Sequence, residues 1–176
     1  MSSLTLPSDL DPKVIPGGSD GDILLDNRYF PISIAKLRGS DPEESVVHGY
    51  YRWREKASAF AHRAGVKHVT IMEFHEWGVP KPTIRKLISE YSSKDLTEVG
   101  FQWQFLIVTK PVMRGAITAI VWLRGDTGKY SWASDYPDAV EKAVAEFVRI
   151  GIEPPKIDPL SYEFPVAELA KFGSRR

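Results

Sequence analysis

The chain has 176 residues, 43% of them apolar, which is enough for one substantial core and, on length, favours one domain with extensions over two domains. Its 23 lysines and arginines equal its 23 aspartates and glutamates, so no net field favours nucleic acid. The absence of cysteine excludes disulfides, thiolate metal sites and cysteine nucleophiles, and fits a reducing compartment.

Residues 1–21 mix proline, glycine, serine and aspartate with isolated apolar side chains and read as a flexible arm. The arm lacks the basic start and continuous apolar region of a secretory signal. DILLDN (22–27) and FPISIAKLRG (30–39) read as two extended segments joined by a tight polar turn, a β-hairpin. SDPEESVVHGYYRWREKASAFAHRAG (40–65) predicts a helix with a side-chain cap and acidic residues at its start and Gly65 as its stop. Val46, Val47, Tyr50, Trp53, Ala57, Phe60 and Ala61 recur along it at helical spacing. KHVTIMEF (67–74) has the β-branched character of a short strand, and HEWGVPKP (75–82) that of a proline-broken loop. TIRKLISEYSSKDL (83–96) restores the helical period, and WQFLIVTK (103–110) is apolar enough for a central strand covered on both faces.

TKPVMRGAITAIVWLR (109–124) has three readings: a membrane segment, a signal-like region or a buried helix. No uncharged apolar run reaches the roughly 20 residues a bilayer requires. A helix beginning at Pro111, with Val112, Met113, Ala116, Ile117, Ile120 and Val121 on one apolar face, fits the core. KYSWASD (129–135) reads as a last strand, and YPDAVEKAVAEFVRIG (136–151) as a last amphipathic helix ending at Gly151. The order is therefore ββαβαβαβα: an α/β domain over 22–151, with a mixed, mostly parallel five-stranded sheet and about four helices. The remaining 152–176 is proline-punctuated yet carries Leu160, Tyr162 and Phe164, the signature of either a strap over the domain or a partner-docking tail. The expectation is a cytoplasmic protein with no membrane span and no bound nucleic acid.

No GxxxxGK[ST] loop, strand-to-helix GxGxxG or GxSxG elbow is present, so nucleotide cradles and serine acyl transfer have no support. His48 and His62 lie on one predicted helix roughly 21 Å apart, too far to share a metal, and read as surface residues. Glu73 and His75 share a parity at a strand end, where α/β folds place ligands, but no third polar partner accompanies them. No catalytic or metal-binding residue is assigned and no cofactor is expected. Of five tryptophans, Trp53, Trp103, Trp122 and Trp132 fall in periodic segments and are expected in the core, whereas Trp77 sits in the loop as a contact residue. Thr83 opens its helix as an N-cap, or as the seat of a phosphate switch.

The element order carries GVPKPTIRKLISEY (78–91), RGAITAIVWL (114–123) and the DxxDAVEKA helix start (135–143). In these the chain resembles the small bacterial STAS-like proteins, which are similar to the anti-sigma-factor antagonists and grouped with the CRAL-TRIO-like fold. The resemblance spans 22–151 and implies a non-enzymatic, regulatory or scaffold module that binds another protein or a second copy of itself. In the antagonists, the corresponding helix start faces the partner and bears a phosphorylatable hydroxyl. Here that place holds Trp77, Pro80, Pro82, Thr83 and Arg85, without an Asp-Ser-Ser-Gly-like motif. These five residues are the expected partner surface, with Leu160, Tyr162 and Phe164 as a second contact. The alternative is a lipid or small apolar-ligand domain, in which the helix over 112–123 walls a pocket of a few hundred Å3.

Overall fold

The computed structural model describes residues 5–17, 21–40, 42–94, 97–124 and 129–166. Among the described residues six strands form one sheet in chain order: β1 (Lys13–Pro16), β2 (Asp22–Asp26), β3 (Ile32–Gly39), β4 (His68–Trp77), β5 (Phe101–Ile107) and β6 (Tyr130–Ala133). β1, β2 and β3 pair antiparallel, and β3 to β6 pair parallel through α1 (Glu44–Arg63), α2 (Pro82–Ser92) and α3 (Pro111–Arg124). α4 (Tyr136–Arg149) follows β6.

The expected five strands become six because the N-terminal segment is not wholly a free arm. Its KVIP stretch adds to the edge of β2, with Val14 opposite Leu24 and Ile15 opposite Ile23. Pro16 is tolerated there because an edge strand leaves one row of backbone donors unpaired. A 3-10 turn at Ser8–Leu10 precedes it and buries Leu10, whose carbonyl accepts a hydrogen bond from Asn27 Nδ2 at 2.5 Å.

Alternation along the strands divides the core. Leu25, Leu37, Met72, Phe74 and Leu106 face one side, where α1, α2 and α3 lie. Three crossovers of one hand between successive neighbouring strands place their helices on the same side. Ile34, Val69, Ile71, Phe105 and Ile107 face the other side, covered by Ala139, Val140, Ala143 and Phe147 of α4 and by Tyr162 of the C-terminal segment. The apolar run of β5 is thus explained by cover on both faces.

The helix ends follow local chemistry. α4 starts where the Asp135 carboxylate accepts from the Asp138 amide at 2.9 Å. α1 stops at Gly65, whose φ of 71° and bond to the His62 carbonyl form the expected left-handed terminus. Its start differs from expectation: the N-cap is Glu43, with no side-chain cap bond. α2 also departs, with Lys81 as N-cap and Pro82 in the first turn, so Thr83 lies inside the helix and is not its cap. No helix among the described residues is long and apolar enough to cross a membrane.

Candidate functional site

A cavity of about 80 Å3 lies between the sheet and its three-helix layer. β4 contributes Met72, Phe74 and Trp77 to its wall, α1 contributes Val47, Tyr50 and Tyr51, and α3 contributes Met113, Ile117, Ile120 and Val121. The expected α3 wall is therefore present, but the cavity is smaller than a few hundred Å3. An apolar cavity of about 150 Å3 accommodates benzene, so the space suits a fragment and not a lipid.

Among the described residues no charged side chain lines this cavity. Two of its polar groups satisfy each other, Tyr51 Oη and Ser92 Oγ at 2.8 Å. Gln104 is different. It stands on β5 in the same alternation as Leu106, so the strand aims its amide at the helix layer. There its Nε2 donates to the sulfur of Met72, a weak acceptor.

The residues expected to bind a partner are split. Trp77 is not a loop residue: it ends β4, is 3% exposed and packs on Phe74 with ring centres 5.6 Å apart. Pro80 is buried beside it on the cavity wall. Pro82 and Arg85 reach the outer surface, where they border a groove between α2 and α3 with Lys86, Ser89, Glu90, Ala119 and Ile120. Thr83 is exposed without lining that groove.

On the outer face of α3 two expectations fail: Val112, expected on the core-facing side, and Trp122, expected in the core, both point to solvent. Val112 is 68% exposed and Trp122 82%, with exposed Gly115 and Ala119 between them at helical spacing. An added Cβ at Gly115 would meet nothing within 4 Å. This stripe meets the α2–α3 groove at Ala119, where Arg85 and Lys86 stand, Lys86 paired with Glu90 at 3.8 Å, whereas Arg114 turns away to lie over the Trp132 ring and donate to the Val108 carbonyl. The available signal was the spacing 112, 115, 119, 122, a second face on a helix whose first face was already filled.

On the opposite side of the sheet, Glu73 accepts from Tyr136 Oη at 2.5 Å and pairs with Lys36 at 3.4 Å, while Lys36 also reaches Glu76 at 2.9 Å. Burial first, and then the hydrogen bond to Glu73, push the Tyr136 phenol far above its usual range. His75 turns away to Thr109 Oγ1 at 2.8 Å, so Glu73 and His75 have separate partners. His48 is half-buried against Tyr91 Oη at 2.6 Å, unlike the exposed His62.

Two of the three tail residues fold back. Tyr162 is buried and donates to Asp26 Oδ2 at 3.1 Å, and Phe164 packs near Tyr136 at 6.2 Å between ring centres. Leu160 is 88% exposed. The rest of the predicted tail, 167–176, lies outside the described residues, as do 1–4 and 18–20 of the arm. Compared with protein-family models and with curated proteins, the chain matches none.

Proposed function

We propose that the protein is a non-enzymatic interaction module of STAS-like type that docks another protein on the outer face of α3 and the adjoining α2–α3 groove. The observation that carries this reading is Trp122, 82% exposed in the last turn of α3 and on one face with the exposed Val112, Gly115 and Ala119. Tryptophan supplies a large, rigid contact area and dominates binding energy at interfaces, whereas in solvent its apolar surface goes unused. Small residues at 115 and 119 lower the surface between Val112 and Trp122, so that a helix of the partner can approach the α3 backbone closely. The cations Arg85 and Lys86 on the groove suit a partner helix with an apolar stripe flanked by acidic side chains. The binding role attached to residues 77–85 is kept for Pro82 and Arg85, and passes from Trp77 to Trp122.

Trp122→Ala tests the reading. An exposed side chain contributes little to folding, so stability should change by no more than about 0.5 kcal/mol. Loss of an interface tryptophan costs about 2 kcal/mol or more, roughly a thirtyfold loss of affinity. Affinity capture from native lysate with the intact chain and the variant, read by mass spectrometry, should return a protein with the first and not with the second. Equal capture by both would remove α3 as the docking face. Conversion of a dimer to a monomer by the variant, read by sedimentation, would identify the partner as a second copy.

A further inference from the structure

We propose that the cavity beneath α2 and α3 takes a small neutral molecule, an apolar body with one hydrogen-bonding group read by the amide of Gln104. Three observations converge on this ligand class. The cavity of about 80 Å3, about half of what holds benzene, limits the body to a fragment of a few carbons. Among the described residues its mainly aliphatic, aromatic and thioether wall offers no cation or carboxylate, so an ionised ligand would be desolvated without a counter-charge. Gln104 places an amide, with two donors and an acceptor, in a half-buried position of the wall, with a thioether sulfur as its partner.

An amide offers two donors and a carbonyl acceptor. A ligand hydroxyl can both donate to Oε1 and accept from Nε2, exchanging the weak bond to Met72 for stronger ones. Tyr130, which also lines the cavity on β6, adds a hydroxyl from the neighbouring strand, since Gln104 and Tyr130 are register partners. Met72 and Met113 lie across the same space, and their flexible side chains let the wall adjust to the ligand shape. The ligand class follows from the wall: alcohols and neutral amides are admitted, carboxylates and ammonium ions refused.

The test uses the full chain and three small branched probes of graded polarity, isobutane, isobutanol and isobutyrate, titrated by NMR. Isobutanol should bind at least as tightly as isobutane, because its hydroxyl keeps its hydrogen bonds on entering the cavity. Isobutyrate should bind at least a hundredfold more weakly than isobutanol. Gln104→Leu, of similar volume, should weaken isobutanol about tenfold and leave isobutane within twofold. Isobutane binding tighter than isobutanol, isobutyrate matching the alcohol, or a Gln104→Leu loss equal for both neutral probes would each overturn the assignment. Binding of none of the three would overturn it as well. The comparison of probes on the unaltered chain decides the matter even where the variant fails to fold.

Discussion

His68 is wholly buried, hydrogen-bonded through Nδ1 to Ser58 at 3.1 Å and through Nε2 to Ser33 at 2.9 Å. Burial, and after it the nearby Arg54 guanidinium, lower its pKa from 6.5 to about 3. A base with a depressed folded-state pKa stays neutral in the fold while the unfolded chain takes up a proton. Between pH 6.5 and about 3, therefore, the unfolded state binds more protons and stability falls as the pH falls. The slope is about 1.4 kcal/mol per pH unit, a loss of about 2 kcal/mol from pH 7 to pH 5. Urea unfolding of the intact chain and of His68→Gln at both pH values checks this: the stability difference between the two should shift by that amount in favour of the variant. A constant difference would show that His68 does not titrate on unfolding. The sequence showed a histidine at the head of a β-branched run, but neither the two serines that satisfy it nor Arg54, held between the Tyr51 and Phe101 rings at 4.6 and 4.5 Å. Those contacts join residues 33, 58 and 68, separations at which periodicity carries no information.

β4 shows how an element can be legible in kind and misread at its end. Its β-branched run gave the strand, but a strict alternation of period 2 sets Trp77 on the opposite face from Phe74, and so beyond the strand's apolar pattern. The pairing with β3 shifts register between Lys36 and Arg38: Glu73 faces Lys36, Glu76 faces Arg38, and β4 uses one residue more than its partner. Such a bulge reverses the alternation and returns Trp77 to the helix layer beside Phe74. The chain then stays close to β3, since the Gly78 amide donates to the Gly39 carbonyl and a Cβ at Gly78 would sit 1.9 Å from the Ser40 oxygen. Trp77→Ala consequently removes core volume and should cost about 3 to 5 kcal/mol, measured as a drop in the urea midpoint. A loss below about 1 kcal/mol would place the indole outside the core. α3 is the converse case. Its apolar face was legible for Met113, Ala116, Ile117, Ile120 and Val121, all buried, while Val112 and Trp122 fall on the other side of the helix. An apolar residue type alone does not distinguish a core position from an interface position.

Across the whole molecule, helical and strand periods made the α/β class and the alternation of elements readable, and the layering of the termini was not. β1 and the C-terminal segment contain too few apolar residues for a period, and their places are set by contacts with sequence-distant groups. Asp26 at the end of β2 is fully buried, held by the Arg28 guanidinium at 2.9 Å and by Tyr162 Oη at 3.1 Å, and Arg28 Nη2 also donates to the Glu163 carbonyl at 3.2 Å. Burial first, then the Asp26 carboxylate, raise the Tyr162 phenol well above its usual range, so it remains a donor throughout the working pH range. The segment 152–166 acts as a strap that completes the face begun by α4, and Tyr162 is its fastening point. Tyr162→Phe keeps the ring contacts with Tyr29 and Tyr136 but leaves one lone pair of a buried carboxylate unanswered. The expected cost is about 1 to 2 kcal/mol. Truncation after Gly151 removes the ring as well and should cost more than Tyr162→Phe, read for both chains as a fall in urea midpoint against the intact protein. Equal stability of the truncated and intact chains would mean that the strap contributes nothing to the fold, and would assign Leu160, Tyr162 and Phe164 to a partner instead.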